Sequence, residues 1–355
     1  LATGDGGLTV SIIGAGVGNP LDLSRFAGSL RGRVSSDDMG SISEFFGADM
    51  SGTCDLLFWT DASAGQASTV FEVTGDALFP ASDARLPSMA LSVTGTATLD
   101  SNESWINIAQ AAATLEQGPV QFNDINVGLT TTGWELLVND LDLASSAQLL
   151  LEAGLIPDSA RESLAAASIS GTINALSLSG SLSDESIQRV AVDFDDIFVK
   201  EDRPFPGVSG FSGSLMLSGN AGQLQVNSSD LTLGIPTQFP DPMQLGNVNA
   251  VIDFDLTDDQ IVIRNGRAAA RADDFEAMAL LTGEIPFSQT SGRSPTLNVV
   301  LGSGRAPASR ALSFTPMTID PDAYRWMQRS LGTGEATQIG FILRCGVRKV
   351  DFPLR

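Results

Sequence analysis

The sequence predicts a mainly β protein, in which a long, curved, mostly antiparallel sheet forms an open groove and helices are few and short. Three observations lead to this prediction. Apolar residues recur at every second position through most of the chain, short turn-rich segments separate these runs, and helical periodicity is rare. The 355 residues are 43% apolar, which excludes a disordered chain.

Composition excludes several classes of function. The formal net charge is −22, so the surface repels phosphates, and nucleic acid is not an expected partner. There is no histidine, which removes His-dependent catalytic triads and His-containing zinc sites. We expect no metal, no cofactor and no catalytic residue, and therefore no enzymatic activity. Cys54 and Cys345 fit either a long-range disulfide or two free thiols.

Residues 1–140 are predicted to form an N-terminal β-rich segment. Two short helices are expected first, at Leu21–Leu30 and Ile42–Phe46. Alternating apolar residues then predict strands, which short polar linkers would join into hairpins. These residues are Phe71 and Val73; Met89, Leu91 and Val93; Ile106 and Ile108; Val120 and Phe122; Ile125, Val127 and Leu129; and Trp134, Leu136 and Val138.

Residues 141–355 are predicted to form a second β-rich segment that contains two helices. The helix near residues 157–167 and the helix near residues 321–331 both begin with Pro-Asp, and both run into a strand. The first carries Arg161 and the second Arg325 at the same offset from that start. This spacing predicts a large repeat, in which a helix precedes each run of strands.

The strands of this second segment supply the candidate lining of the groove. Alternation places one set of apolar side chains on a single face of each strand. The candidates are Phe194, Leu215, Leu217, Leu231, Leu233, Ile252, Phe254, Leu256, Ile261, Ile263, Leu297 and Val299. The same pattern fits a sandwich in which two such faces pack against each other, and periodicity alone does not separate the two architectures.

Other motifs carry no chemistry in this interpretation. Adjacent acids such as Asp258-Asp259 and Asp273-Asp274 stand at or near predicted turns, where solvation explains them better than a glycosidase pair or a calcium site. The glycines of residues 14–18 lack the rest of a nucleotide-binding motif. The apolar residues of the 321–331 helix, Trp326 among them, fit either a core position or a cap on the groove.

Two stretches resemble a known family. Residues 205–219 (FPGVSGFSGSLMLSG), together with residues 222–233 (GQLQVNSSDLTL), resemble the YhdP family of the AsmA-like group, to which TamB is more distantly related. The helix at residues 322–331 and the ending DFPLR at residues 351–355 are also similar to that family. The resemblance is good over residues 141–355, and residues 1–140 share only its style. Leu354 departs from it, since an aromatic residue is expected there.

The resemblance implies a fragment of the periplasmic portion of a cell-envelope protein, anchored to the inner membrane by an N-terminal helix outside this sequence. It implies phospholipid transport between the inner and outer membranes of a Gram-negative envelope and maintenance of the outer-membrane barrier. The partners would be phospholipid acyl chains, which slide passively along the groove, and no protein partner is indicated. The alternative is a secreted or envelope β-structural, adhesin-like protein with no lipid ligand.

Overall fold

The computed structural model describes most of the chain. The described residues are 8–346, apart from 20–24, 38–50, 64, 79–88, 101, 116–117, 153–157, 184–185, 202–205, 237–238, 240, 288–295, 316 and 318.

Strands dominate the described residues. In chain order they are β1 Leu8–Val17, β2 Ala27–Ser36, β3 Ser51–Ser63, β4 Gln66–Leu78, β5 Met89–Leu99, β6 Glu103–Leu115, β7 Gly118–Thr130, β8 Gly133–Asp142, β9 Ser170–Ser181, β10 Ile187–Val199, β11 Gly207–Ser218, β12 Ala221–Gly234, β13 Met243–Leu256, β14 Gln260–Ala272, β15 Phe275–Pro286, β16 Thr296–Pro307 and β17 Glu335–Gly346. Most have ten to fourteen residues, which is long for strands of globular proteins.

The helices are few and short. They are α1 Leu143–Glu152, α2 Asp158–Ala167, α3 Arg310–Ser313 and α4 Pro321–Ser330. Helices α2 and α4 confirm the two predicted Pro-Asp helices. Asp320 caps α4, because its side chain accepts hydrogen bonds from the backbone N–H groups of the first turn.

Two other helix predictions have different outcomes. The helix predicted at Leu21–Leu30 is wrong where the structure describes it, because residues 27–30 belong to strand β2. Pairing with β1 on one side and β3 on the other outweighs the weak local helical pattern. The helix predicted at Ile42–Phe46 lies outside the described residues. Helix α1 was not predicted.

The strands form one antiparallel sheet that does not close on itself, and strands that follow each other in the chain pair with each other. This confirms the predicted fold class. The chain divides into two compact units, residues 1–157 with 175–188, and residues 158–174 with 189–355. We call them unit 1 and unit 2 and describe each by itself.

The order of the elements shows what the predicted repeat consists of. Among the described residues, eight strands precede the helix pair α1–α2, and eight more precede the pair α3–α4. Each pair leads directly into a strand, β9 or β17. Both helix pairs are therefore long connections between strands that a tight turn would otherwise join.

The sheet has no covering layer comparable to the second sheet of a sandwich in the part of the chain that the structure describes. Packing between elements is mainly between strands that are neighbours in the chain. The main exceptions are α1, which contacts β7 and β8, and α3, which contacts β16. No large side chain among the described residues is fully buried. A sandwich of this size would bury many of them, because its two inner faces interdigitate.

Glycines make room for large apolar side chains that lie across the neighbouring strand. A Cβ atom added to Gly222 would stand 2.2 Å from the ring of Phe254, and one added to Gly32 would stand 2.2 Å from the ring of Phe58. Each ring therefore occupies the space above a glycine of the adjacent strand. This overlap buries apolar area within a single layer of side chains.

We predict that Gly222→Val lowers thermal stability, because the new side chain and the Phe254 ring cannot occupy the same space. Overpacking of this kind costs about 1–3 kcal/mol. Gly302→Val is the matched control, since no atom lies within 4 Å of the position its Cβ would take. Thermal unfolding followed by circular dichroism measures both variants. Equal midpoints for the two variants would contradict the overlap.

Candidate functional site

The strand register sorts the side chains of unit 2 onto two faces. Residues that stand opposite each other on paired strands point to the same side of the sheet. Following these pairs from β10 to β16 defines rows that cross the strands, and we call the four rows together the apolar face of unit 2. Row 1 is Val190, Leu217, Gly222, Phe254, Ile263, Gly283 and Leu297; row 2 is Val192, Leu215, Leu224, Ile252, Gly266, Leu281 and Val299; row 3 is Phe194, Gly213, Val226, Ala250, Ala268, Ala279 and Leu301; and row 4 runs from Ser228 of β12 through Val248, Ala270 and Ala277 to Ser303.

No charged residue occupies any of these four rows. The opposite face carries charged residues from β10 to β15, and we call it the charged face. Its members include Arg189, Asp193, Asp253, Asp255, Arg267, Arg271, Glu276 and Glu284. The two faces therefore differ sharply in polarity, although no second sheet covers either of them in the described structure.

The structure brings the predicted lining residues together. Eight of the twelve candidates lie in rows 1 to 3: Phe194, Leu215, Leu217, Ile252, Phe254, Ile263, Leu297 and Val299. Leu256 and Ile261 pair with each other beside row 1, two residues along the strands from the Phe254–Ile263 pair. Leu231 packs with Val226 and Val248, and Leu233 pairs with Val208 and Met243. All twelve are buried or half-buried, because same-face neighbours cover them laterally.

A bulge in β14 shows how closely the rows are kept in register. Phe254 pairs with Ile263 and Ile252 pairs with Gly266, so β14 has one extra residue between the two pairs. The pairing of β14 with β15 has an irregularity at the same place. Rows 1 and 2 therefore continue across the bulge, and the charged Arg264 stays out of both.

Unit 1 has an apolar face of the same kind. Following the register from β2 to β8 gives rows that also contain no charged residue. One row is Val34, Leu56, Val73, Val93, Ala111 and Phe122; the next is Gly32, Phe58, Phe71, Gly95, Ile108, Ile125 and Val138; and a third is Leu30, Thr60, Thr69, Ala97, Ile106, Val127 and Leu136. The other face carries Arg33 and Asp55, which form an ion pair.

One margin of the apolar face in unit 2 is covered. Phe275 is only 6% exposed and lies at the start of β15, on the same side as Ala277. The ring of Phe314, just after α3, meets the Phe275 ring edge to face at 5.8 Å. The Arg310 guanidinium lies 5.2 Å from the centre of the Phe275 ring. Residues 308–315, which we call the unit 2 wall, therefore cover this margin.

An ion pair holds the unit 2 wall to the sheet. Arg310 donates two parallel hydrogen bonds to Asp274, of 2.9 Å from Nε and 2.8 Å from Nη2. These bonds lower the pKa of Asp274 below its ordinary value and raise the pKa of Arg310. Asp274 belongs to one of the acidic pairs that the sequence placed at a solvated turn, and its partner shows that it also has a structural role.

The apolar face of unit 1 also has covered margins. Ala113 of β6 and Val120 of β7 are buried, and Leu149 of α1 packs against them. Near the opposite ends of the strands, Phe26 packs with Ala62 and Ala67, all three of them buried. The helix that follows the eighth strand thus covers a margin in each unit, through α1 in unit 1 and α3 in unit 2.

Sequence reasoning missed the covered margins. Phe275 follows the alternating pattern of its strand, but its contact with Phe314 joins residues 39 positions apart and has no sequence signal. The helix at residues 321–331 has a clear outcome. Helix α4 contains no buried residue and Trp326 is 64% exposed, so these side chains are not core. Gly14 and Gly16 lie within strand β1 and not in a phosphate-binding turn.

The described residues contain no cluster of three or more acidic, cysteine or histidine side chains that could hold a metal ion. None of their helices is long and apolar enough to cross a bilayer. The thiol of Cys54 is free and half-buried, and burial raises its pKa. The side chain of Cys345 lies outside the described set.

These features define a class: one-layer antiparallel β-sheet proteins with an uncharged apolar face that no second layer covers. The family model described as YhdP protein matches residues 15–354. The chain belongs to the YhdP family, a family of cell-envelope proteins. No curated protein and no solved structure matches it significantly.

We predict that acidification releases the unit 2 wall. Because folding lowers the pKa of Asp274, the stabilisation from this group is complete above the ordinary Asp value of about 3.9 and is lost as the pH falls through the lower folded value. Fluorine NMR of a fluorophenylalanine at position 314 should show a change of environment in that range. Asp274→Asn should abolish this pH dependence, and an unchanged titration in that variant would contradict the assignment.

Proposed function

We propose that this protein carries phospholipid between the inner and outer membranes of a bacterial envelope by passive sliding of acyl chains along its apolar face. The observation that supports this proposal most directly is the apolar face itself, in which uncharged rows run across the strands without a covering layer. Membership of the YhdP family supports the setting, which we propose to be the periplasm, with attachment to the inner membrane.

The rows have suitable dimensions for an acyl chain. Seven strands, β10 to β16, contribute to rows 1 to 3, and six steps of about 4.8 Å between strands give a row of about 29 Å. An acyl chain spans half of a bilayer core that is about 30 Å thick, and so occupies about 15 Å. A chain lying along a row is therefore in contact with apolar side chains over its full length.

The energetics favour such a contact and do not fix the lipid in one place. Removing each CH₂ group from water contributes about 0.8 kcal/mol. Because the side chains of successive strands are alike, a chain displaced by one strand meets a similar surface. The hydrophobic interaction is non-directional, so movement along the row keeps most of the contact and needs no catalytic group.

The distribution of charge is compatible with a phospholipid ligand. The headgroup keeps its water when only the acyl chains lie against the rows, because the apolar face is open to solvent. The carboxylates and guanidinium groups of unit 2 project mainly from the charged face. Acyl chains on the apolar face therefore meet no ionic side chain in the rows.

The adhesin-like alternative requires no exposed lipid site. A β-structural protein without a ligand would gain stability by packing its apolar faces together, because exposed apolar area gives no stabilisation. The described residues of this chain instead leave both apolar faces without a covering sheet. We therefore favour the lipid carrier.

The test uses two neighbouring valines that point to opposite faces. Val299 lies in row 2, whereas Val300 stands on the charged face and is 48% exposed. We predict that the chain purified from bacteria carries phospholipid, and that Val299→Asp removes it whereas Val300→Asp retains it. Native mass spectrometry, with solvent extraction of bound lipid, measures the stoichiometry. Phe254→Asp and the opposite-face variant Val251→Asp repeat the comparison on β13.

Circular dichroism separates loss of lipid from loss of fold. We expect Val299→Asp to keep its strand signal, because water can reach a charge on an uncovered face. Unfolding of Val299→Asp with Val300→Asp intact would indicate a packed core instead. A folded wild-type chain without lipid would refute the proposal.

A further inference from the structure

Chain segments cover part of the margin of each apolar face in the described residues. In unit 2 the wall of residues 308–315 covers Phe275, and in unit 1 helix α1 covers Ala113 and Val120. Rows 1 and 2, which we call the central rows, have no such cover. Ile252 and Val299 of row 2, for example, are only half-buried by their neighbours in the sheet. Each face therefore has a covered margin beside uncovered rows.

We propose that these segments are side walls that keep the acyl chain off the covered margins, and that the Asp274–Arg310 pair is the positioning contact that fixes the wall in unit 2. This inference rests on the proposed lipid function and adds to it a path for the lipid. The acyl chain contacts rows 1 and 2 and does not reach the margin at Phe275.

The contacts in unit 2 suit a fixed wall. Phe314 occupies the space beside the Phe275 ring that an acyl chain would otherwise take. Arg310 joins the wall to the sheet, since its guanidinium lies over the Phe275 ring and also binds Asp274 through two nitrogen atoms. Geometry of this kind, in which a planar guanidinium meets a carboxylate at two points, fixes orientation as well as distance.

The same arrangement recurs where the sequence differs. Helix α1 follows β8 and α3 follows β16, so each wall occupies the same place in the order of elements. In unit 1 an aliphatic contact through Leu149 performs the covering. In unit 2 an aromatic pair and an ion pair do so. Two chemically different solutions at equivalent positions indicate that the cover itself is the feature that matters.

The test places the same photoreactive group under the wall and on the uncovered face. Phe254 and Phe275 are both phenylalanines of the apolar face, but Phe254 is half-buried in row 1 and Phe275 lies under the wall.

Each of the two phenylalanines is replaced in turn by p-azidophenylalanine in the full chain. The protein is loaded with phosphatidylethanolamine vesicles and irradiated, and crosslinked lipid is quantified by mass spectrometry.

We expect several-fold more crosslinked lipid at position 254 than at position 275. Arg310→Ala and Phe314→Ala should each raise the yield at position 275 several-fold and leave the yield at position 254 unchanged. Arg325→Ala is the matched control, because Arg325 pairs with Asp322 within α4, outside residues 308–315. It should alter neither yield.

The outcomes separate this inference from the proposed function. Equal yields at both positions in the wild-type background would overturn the wall and leave the lipid face standing. Yields at position 275 that do not respond to Arg310→Ala or Phe314→Ala would also overturn it. No crosslink at either position would refute the lipid function, and the wall with it. Circular dichroism of each variant shows that the sheet remains folded.

Discussion

The constraint on which the structure depends is the parity of each strand. Side chains alternate between faces with a period of two residues, so a slip of one residue in any pairing would exchange the apolar set and the charged set. In unit 2 the pairing keeps that parity from β10 to β16, even across the bulge of β14. The absence of charged residues from the rows therefore depends on the register of all the strand pairs. The sequence of a single strand places its apolar residues on one face, but only the pairing aligns them with those of the next strand.

A protein with a single layer of sheet is stabilised mainly by interactions within that sheet. Each inner strand uses its backbone hydrogen bonds on both sides, and half-buried apolar side chains contribute about 1 kcal/mol each, roughly half of what full burial would give. Glycines such as Gly222 increase that contribution, because they let a large ring lie over the adjacent strand. Lateral packing of this kind replaces the second layer of a sandwich and leaves the outer surface of the side chains accessible.

The strands, the placement of apolar residues on one face of each strand, and the helices α2 and α4 could be predicted from the sequence. These features depend on local periodicity and on Pro-Asp helix starts. Whether the apolar face is covered could not be predicted, since alternation is identical in a sandwich and in an open sheet. Helix α1 was missed because Leu143–Glu152 directly continues β8, although Asp142 marks its start by accepting a hydrogen bond from the Ser145 N–H. Residues 27–30 were misassigned because their pairing with two strands is a long-range effect.

An open apolar face raises a physical conflict, to which the covered margins offer a partial solution. Exposed apolar area favours binding of a lipid but equally favours association with other apolar surfaces. Covering the whole face would remove both effects, whereas covering only its margins narrows the exposed area and leaves the central rows available. Placing the cover after every eighth strand, by α1 and by α3, repeats this compromise along the chain. A longer sheet built from the same repeat would extend the rows without widening them, which is the property that a conduit for acyl chains needs.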